Sequence, residues 1–432
     1  MRSNMILLKG GMVVDPISGL QAIRDVLIEN DKIVQIDEEI DCSGLNESTE
    51  VVDCKGMIVG PGLVDIHVHF RDPGFTYKED IHTGARAAAR GGVTSVILMA
   101  NTKPVVDNVD TLKYVLDKGK ETDIHIYSCA SITKGLQGQE LTDMEALLAA
   151  GAAGFTDDGI PIMEEKKVLE AMEKAAELGT VLSFHEENPE YIKNNGVNMG
   201  KASEFFGIGG SNRMAEISMV KRDLELALQT GAIVDFQHIS TKEAVELIRK
   251  AKSDPRGKNI HCEATPHHIS MTEEDTIKHG TYAKMNPPLR EMADKQAIIE
   301  GLMDGTIDLI ATDHAPHSKE EKEQDITKAP SGIIGIETAL SVTYDALVRT
   351  GKLSPLQLFC KLSTNPAALY GINAGELAID RTADIVIFDP NKEFFFENTL
   401  SKSFNSPLKG EKITGDIIAT IASGKLVYKS GI

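Results

Sequence analysis

The sequence predicts an α/β protein in which a (β/α)8 TIM-like barrel carries a small β-sandwich domain built from both chain ends. Between Gly62 and about Tyr370, apolar runs of strand length alternate with helical patterns, which is typical of a parallel sheet. Eight such runs follow one another, and eight repeats favour a closed barrel over an open sheet. Strand-like runs with turn signals occupy the residues before and after this region.

The first sixty residues consist of short apolar runs separated by Gly, Pro and Asn or Asp turns, as in MILLKGG, MVVDPISG and VVDCKGMIVGPG. After Gly371 the sequence becomes strand-like again, with ADIVIFD, EFFFEN and IIATIASGKLVYKSG. The simplest interpretation is that the two ends form one composite β domain of residues 1–60 and 372–432. The barrel, residues 61–371, is then inserted into that domain.

The predicted barrel strands are apolar runs, and most of them end in polar residues. Helical patterns such as MEALLAAGA, VLEAMEKAAELG and KEAVELIRKA lie between them. In chain order the strands span residues 63–70, 95–101, 124–130, 153–158, 181–187, 233–240, 260–266 and 307–315.

Composition excludes several classes of partner. The 432 residues include 45 Lys and Arg against 65 Asp and Glu, so the net charge of −20 would repel nucleic acid and anionic membranes. The N-terminus has no signal-peptide pattern and no apolar stretch reaches the length of a membrane span, so we predict a cytoplasmic protein. Scattered cysteines are typical of reduced thiols, and the five are Cys42, Cys54, Cys129, Cys262 and Cys360.

Polar residues gather at the C-terminal ends of the predicted strands, where barrel active sites are built. His67 and His69 lie two apart on the first strand, so both imidazoles point to the same side. Four further strands end in a histidine or an aspartate, namely Asp158, His185, His238 and Asp313. Imidazole nitrogens and carboxylate oxygens are donors that Zn²⁺ accepts.

A pair of metal ions explains this set of donors. Six ionisable groups buried together without a counter-charge would cost several kcal/mol each. We therefore predict a site for two ions roughly 3.5–4 Å apart, bridged by one carboxylate. Spacing alone leaves Asp157 as a competitor of Asp158 for the bridging position, although neighbouring residues of a strand face opposite ways.

Two motifs carry a family resemblance. The string from Asp65 to Pro73, DIHVHFRDP, and the string from Ala311 to His317, ATDHAPH, followed by Lys322, resemble the signatures of the dihydroorotases within the amidohydrolase superfamily. The resemblance covers essentially the whole chain, including the flanking β domain. It implies a barrel with two Zn²⁺ ions and the reversible cyclisation of N-carbamoyl-L-aspartate to (S)-dihydroorotate in pyrimidine biosynthesis.

The same resemblance implies roles for single residues. His67 and His69 hold one ion, His185 and His238 hold the other, Asp158 bridges them, and Asp313 is both a ligand and the catalytic base. Many relatives bridge the metals with a carbamylated lysine after the fourth strand, whereas this sequence has GAAGFTDDG there. That departure is similar to the bacterial class I dihydroorotases, in which an aspartate bridges.

Substrate contacts are expected around the metals. Arg71 follows the two histidines of the first strand, and its planar guanidinium suits a bidentate grip on a carboxylate. The residues expected to contact substrate by resemblance are His69, Asn101, Asn286 and His317, with backbone contacts from Ser331 and Gly332. The segment 317–332, which is charged and ends in APSGIIG, is either a lid over the site or an exposed loop.

Alternative functions remain open. Hydantoinases (dihydropyrimidinases) and allantoinases share the barrel, metals and reaction type, but they usually carry the lysine that is missing here. A non-catalytic barrel that serves as a scaffold is the alternative of another class, although such proteins lose metal ligands. The family also leads us to expect a small-molecule substrate, a homodimer and an association with aspartate transcarbamoylase.

Overall fold

The computed structural model describes residues 5–41, 43 and 49–431. Cys42 lies outside the described residues. The other cysteines are free thiols, and burial raises the pKa of the three deepest, Cys54, Cys129 and Cys262. These side chains are therefore apolar packing groups in the structure.

Strands from both chain ends pair in one eight-stranded sheet. The strands are β1 Met5–Asp15, β2 Leu20–Glu29, β3 Lys32–Asp37, β4 Glu50–Asp53, β5 Ile58–Pro61, β14 Ile385–Phe395, β15 Lys412–Ala422 and β16 Lys425–Lys429. Their order is β16-β15-β14-β5-β1-β2-β3, and β4 pairs in parallel with β1 beside β5. The two ends meet where β5 pairs antiparallel with β14, with Val59 opposite Ile387. Buried apolar side chains from both ends, such as Leu8, Val26 and Ile421, form one cluster.

Eight short parallel strands occupy the predicted barrel region, and each overlaps one predicted strand segment. Seven lie inside their segments, and the second begins at Val93, two residues before its predicted start. They form a three-stranded and a five-stranded parallel sheet. The first comprises β6 Leu63–Val68, β7 Val93–Leu98 and β8 His125–Ser128. The second comprises β9 Phe155–Thr156, β10 Val181–Phe184, β11 Ile233–Phe236, β12 Ile260–Ala264 and β13 Leu309–Ile310. The mixed α/β class and the parallel strands are thus as the sequence predicted.

Backbone contacts join the two parallel sheets at both of their edges. On one side, the amide of His69 donates to the carbonyl of His314 over 2.9 Å, and Val68 bridges His314 in parallel register. On the other side, the amide of Thr156 donates to the carbonyl of Ala130 over 2.9 Å. The carboxyl ends of all eight strands therefore lie on one side of the molecule.

The parallel strands end earlier than predicted. The first was expected to reach residue 70 and the sixth residue 240, but the structure ends them at Val68 and Phe236. The residues that follow still donate backbone hydrogen bonds to neighbouring segments, His69 to the carbonyl of His314 and Gln237 to the carbonyl of Phe184. Regular strand structure nevertheless stops before them, so the predicted strands were too long.

Helices connect the strands and cover the sheets. They are α1 Ile81–Arg90, α2 Val109–Gly119, α3 Met144–Ala149, α4 Glu165–Leu178, α5 Lys201–Phe206, α6 Met214–Thr230, α7 Lys242–Ser253, α8 Pro266–Ser270, α9 Glu273–His279, α10 Met292–Asp304, α11 Lys319–Lys322, α12 Ala339–Thr343, α13 Pro355–Phe359 and α14 Asn365–Leu369. Among the described residues, no helix is both long and apolar enough to cross a bilayer.

Helix α7 shows why these segments become helical. The Thr241 side chain accepts a hydrogen bond from the amide of Ala244 and so caps the first turn. Ala244, Val245, Ile248 and Ala251 recur at helical spacing and are all buried, while Lys and Glu residues occupy the other face. The buried stripe fixes the helix against the parallel strands.

Candidate metal centre and active site

The Asp158 carboxylate lies at the centre of a cluster of imidazoles. Its Oδ1 is 3.4 Å from His67 Nε2 and 3.6 Å from His185 Nδ1. Its Oδ2 is 3.4 Å from His69 Nε2. One carboxylate thus faces histidines from two different strands, β6 and β10, which is the position of a bridging ligand.

The two remaining predicted ligands complete the cluster. Asp313 Oδ1 is 3.0 Å from His69 Nε2 and 3.5 Å from His67 Nε2. His238 Nε2 is 3.0 Å from His185 Nδ1. Three sets of donor atoms lie within 4.8 Å of one another: His67, His69 and Asp158; His67, His238 and Asp313; and Asp158, His185 and His238. The structure therefore brings all six predicted ligands together.

The chemistry of this cluster suits a metal. His67 Nε2 is buried and has no hydrogen-bond partner among the described residues, although it faces two carboxylates. A buried polar atom without a partner is costly, and a cation between these donors removes that cost. The side chains could therefore hold a metal ion.

The pKa shifts of residues in this cluster also indicate that the cluster needs positive charge. Burial opposes protonation of His67, but the carboxylates of Glu263 and Asp158 outweigh burial and raise the pKa of His67 well above its ordinary value. Burial opposes ionisation of Asp158, but His67 and other neighbours lower its pKa well below its ordinary value. For His238, burial and then the charge of His185 lower the pKa well below its ordinary value. Protons or cations must balance these carboxylates.

The two neighbouring aspartates of the fourth strand have different partners. Asp158 points into the cluster, whereas Asp157 Oδ1 accepts hydrogen bonds from the amides of Ile132 and Thr133 at 2.8 and 3.0 Å. The Thr133 hydroxyl donates to the other oxygen of Asp157. The Asp157 carboxylate therefore binds the loop that contains Ile132 and Thr133.

Three site residues adopt left-handed backbone conformations. The φ angles are 60° at Arg71, 30° at His238 and 49° at Asp313. Non-glycine residues rarely take such angles, and each costs roughly 1–3 kcal/mol. Each lies just beyond the end of a parallel strand, so the unusual backbone turns the side chain inward.

A cavity of about 170 Å³ opens above the cluster. All the predicted substrate contacts line it, namely His69, Arg71, Asn101, Asn286, His317, Ser331 and Gly332. The Asn286 Oδ1 and Ser331 Oγ atoms are buried and lack hydrogen-bond partners among the described residues. Polar atoms left free on a cavity wall are available to a ligand.

Arg71 and His317 lie side by side at one edge of this cavity, and of the two only Arg71 carries a charge. Arg71 Nε donates to the carbonyl of Pro316 over 3.2 Å, and its guanidinium lies 3.5 Å from His317 Nε2. Burial and then the charges of Arg71 and Lys78 lower the pKa of His317, so this imidazole is neutral. Its Nε2 donates to the carbonyl of Ser331 over 2.9 Å.

Asn101 contacts two of the predicted metal ligands and also lines the cavity. Its Oδ1 lies 3.0 Å from His69 Nδ1, and its Nδ2 donates to Asp158 Oδ2 over 3.0 Å. The sequence predicted that Asn101 contacts substrate, and the structure adds these two contacts.

The segment 317–332 folds around two buried lysines. Lys322 Nζ donates to the carbonyls of Pro330 and Gly332 at 2.9 and 3.0 Å. Lys284 Nζ donates to the carbonyls of Ile326 and Ala329 at 2.8 and 2.6 Å. Part of the predicted lid is thus tied to the protein interior.

Sequence reasoning missed two buried acids behind the histidines. Glu263 Oε2 lies 3.0 Å from His67 Nδ1, and Glu187 Oε2 lies 3.1 Å from His185 Nε2. Two signals were available. Glu263 is a carboxylate within the otherwise apolar run of the seventh strand, and Glu187 follows His185 at strand spacing.

Several known proteins of similar sequence are named dihydroorotase. The family described as Dihydro-orotase-like matches residues 56–244. A dihydroorotase of Clostridioides difficile (strain 630) is 52% identical over 426 residues, which cover 99% of this chain and 100% of that protein. A dihydroorotase of Clostridium acetobutylicum is 50% identical (98% and 100% covered), and one of Streptococcus pneumoniae serotype 4 is 47% identical (99% and 100% covered).

Solved structures with the same fold are hydantoinases. The L-hydantoinase (dihydropyrimidinase) from Arthrobacter aurescens superposes with a TM-score of 0.86 at 26% identity, covering 100% of this chain and 97% of that one. A D-hydantoinase superposes with a TM-score of 0.85 at 22% identity, covering 98% and 95%, and shows the shared fold alone. Identity near one half over the full length is much higher with the dihydroorotases. The chain belongs to the dihydroorotase family.

Proposed function

We propose that this protein is a dihydroorotase, which reversibly cyclises N-carbamoyl-L-aspartate to (S)-dihydroorotate in pyrimidine biosynthesis. The observation that carries the proposal is the convergence of four imidazoles and two carboxylates on the floor of a cavity bordered by Arg71. Relatives that bear the name dihydroorotase match essentially the full chain. A small substrate with a free carboxylate fits both observations.

The proposed cofactor is a pair of Zn²⁺ ions. His67 and His69 would hold one, His185 and His238 the other, with Asp158 between them. The grouping of donor atoms supports this division, because Asp158 shares one group with the first pair and another with the second. When bound, such a pair lowers the pKa of water from about 16 to about 7 and polarises a carbonyl.

Asp313 is the proposed catalytic base and an additional ligand. Its carboxylate borders the cavity, so in hydrolysis it can take a proton from the attacking water and hand it to the departing ring nitrogen. In the cyclisation direction it takes a proton from the ureido nitrogen as that atom attacks the side-chain carboxyl. The proton then leaves with the water that is released.

Arg71 is the proposed anchor of the substrate carboxylate. Its guanidinium lines the cavity and lies 3.5 Å from His317 Nε2, and a planar fork matches a carboxylate in two hydrogen bonds. The free Asn286 Oδ1 and Ser331 Oγ would bind the ring amide groups, and the backbone at Ser331 and Gly332 is a further expected contact. These contacts supply a local attraction in a protein whose net charge is −20.

We further propose a closed (β/α)8 barrel of residues 61–371 with a composite β-sandwich domain of residues 1–60 and 372–432. Backbone hydrogen bonds at both edges of the parallel sheets support closure. The shared sheet and core of the two chain ends support the composite domain. A homodimer and association with aspartate transcarbamoylase remain predictions from family membership, and cytoplasmic localisation remains a prediction from the sequence.

The deciding experiment is a zinc-dependent assay of dihydroorotate formation by the wild type and Asp313→Ala. We expect nearly complete loss of turnover in the variant with the fold retained. Turnover of dihydroorotate, dihydrouracil and allantoin by the wild type separates the dihydroorotase from a hydantoinase or an allantoinase. Substantial residual activity in Asp313→Ala would contradict its role as base. If the purified wild type contained no metal and added zinc did not activate it, the protein would be a non-catalytic scaffold.

A further inference from the structure

Two buried glutamates contact histidine ligands from outside the metal cluster, on different strands. Glu263 belongs to β12 and contacts His67, while Glu187 follows β10 and contacts His185. We propose that Glu263 and Glu187 are positioning residues, each of which fixes one histidine in the tautomer that binds metal, one for each ion. The inference rests on the proposed function only in requiring two metal positions.

Glu263 determines the proton position on His67. Its Oε2 is 3.0 Å from Nδ1, and both side chains are fully enclosed by protein. A carboxylate only accepts hydrogen bonds, so Nδ1 must carry the hydrogen and Nε2 must present its lone pair. Nε2 is the atom that faces Asp158 and Asp313 and has no hydrogen-bond partner among the described side chains.

Glu187 gives His185 the opposite tautomer. Its Oε2 is 3.1 Å from Nε2, so that nitrogen carries the hydrogen. The free lone pair is then on Nδ1, which lies 3.6 Å from Asp158 Oδ1 and 3.0 Å from His238 Nε2. One histidine therefore binds through Nε2 and the other through Nδ1, each because of its own glutamate.

The two glutamates also make the histidines stronger ligands. A carboxylate behind an imidazole raises the basicity of its free nitrogen and fixes the ring orientation. His69, by comparison, has a neutral amide behind it, since Asn101 Oδ1 is 3.0 Å from Nδ1. Each proposed ion position thus has one histidine supported by a buried negative charge.

Because the glutamates serve different histidines, their effects on metal binding should separate. His67 belongs to the donor group with His69 and Asp158, and His185 to the group with His238 and Asp158. Loss of the Glu263 charge should weaken the first position, and loss of the Glu187 charge the second. If a glutamate served only to stabilise the fold, its substitution would lower the free energy of unfolding without weakening one ion position more than the other.

The test uses Glu263→Gln and Glu187→Gln of the full chain, stripped of metal and titrated with Co²⁺ against a chromophoric chelator. We expect each variant to bind one of its two ions about 10- to 100-fold more weakly. The visible Co²⁺ spectrum should lose a different component in each variant, since the two positions have different ligands. Glu337→Gln is the matched control, because Glu337 is buried but pairs with Arg90 at 2.9 Å, away from the cluster.

Glu263→Asp and Glu187→Asp extend the test if a glutamine variant folds poorly. They keep the charge but shorten the side chain, so we expect affinity between that of the wild type and the glutamine variant. Unchanged affinity for both ions, or equal weakening of both ions in both variants, would overturn the proposal. The readout needs no substrate, so a wild type that binds Co²⁺ but fails to turn over dihydroorotate would refute the proposed function alone.

Discussion

Asp313 Oδ1 lies 3.0 Å from His69 Nε2, although 244 residues separate the two in the chain. The two residues follow the eighth and the first parallel strand, β13 and β6. The amide of His69 also donates to the carbonyl of His314, so the edge that joins the two sheets is itself part of the site. The same backbone pairing that brings the first and last strands together places the proposed base beside the proposed ligands.

Substitutions of Asp158 and Asp157 form a matched pair that tests which of the two residues bridges the metal ions. Asp158→Asn removes a negative charge that faces His67, His69 and His185, so we expect metal affinity to fall by more than the roughly 100-fold typical of a lost outer partner. Metal content after gel filtration, measured by atomic emission, checks this. Activity should fall in parallel.

Asp157→Asn should retain its metal, because Asn can still accept from the amides of Ile132 and Thr133. A modest loss of thermal stability is expected, since the hydrogen bond with the Thr133 hydroxyl is altered. If Asp157→Asn lost metal while Asp158→Asn kept it, the assignment of the bridging residue would be reversed.

Arg71→Gln should affect substrate binding more than chemistry. A hydrogen bond to a charged group contributes about 1.5–3 kcal/mol, so the KM for dihydroorotate should rise about 10- to 100-fold, with a smaller change in kcat. Arg71→Lys should lie between wild type and Arg71→Gln, because an ammonium keeps the charge but loses the planar fork. An unchanged KM in steady-state hydrolysis would show that another group binds the carboxylate.

The positions of the metal ligands were predictable because strand geometry is simple. His67 and His69 had to share a face, and the carboxyl ends of parallel strands had to share a rim. Arg71, at the end of the same run, followed from the same reasoning. The structure brings these side chains to one cavity as predicted.

Other features depend on contacts that a single strand does not reveal. Asp157 and Asp158 could not be separated by spacing, since the strand ends at Thr156 and the chain bends beyond it. Glu263 contacts a histidine 196 residues away, which only the assembled sheet brings close. The segment 317–332 was predicted to be either a lid or an exposed loop, but its Lys322 is buried, and carbonyls surround its ammonium group.

Thr312→Val should weaken the contact between the first and last parallel strands. The Thr312 hydroxyl donates to Asp65 Oδ2 over 2.5 Å, and its amide donates to Oδ1 over 3.1 Å. Valine fills the same volume without the hydroxyl, so a buried carboxylate oxygen loses its partner at a cost of about 1–3 kcal/mol. Urea unfolding measures the loss. Thr312→Ser keeps the hydroxyl and should retain most of the stability, and equal destabilisation by both variants would point to packing instead.

Lys322 should make stability depend on pH above neutrality. Burial and then the charge of Lys284 lower the pKa of Lys322 to about 7, whereas a lysine in the unfolded chain titrates near its ordinary value of 10.5. Between these two pKa values the unfolded chain holds a proton that the folded protein has released. The free energy of unfolding therefore rises with pH in this window, by about 1 kcal/mol per pH unit, and the contribution is lost as pH falls to about 7.

Lys322→Met removes this titration, so its urea-unfolding free energy should lack that part of the slope between roughly pH 7.5 and 9. Near the upper end of this window its stability should also be lower, because the carbonyls of Pro330 and Gly332 lose the donor that the neutral lysine still supplies. Lys319→Met is the control on the same short helix, since the Lys319 side chain is largely exposed. Equal slopes in Lys322→Met and the wild type would mean that Lys322 stays protonated, stabilised by the carbonyls more strongly than burial opposes its charge.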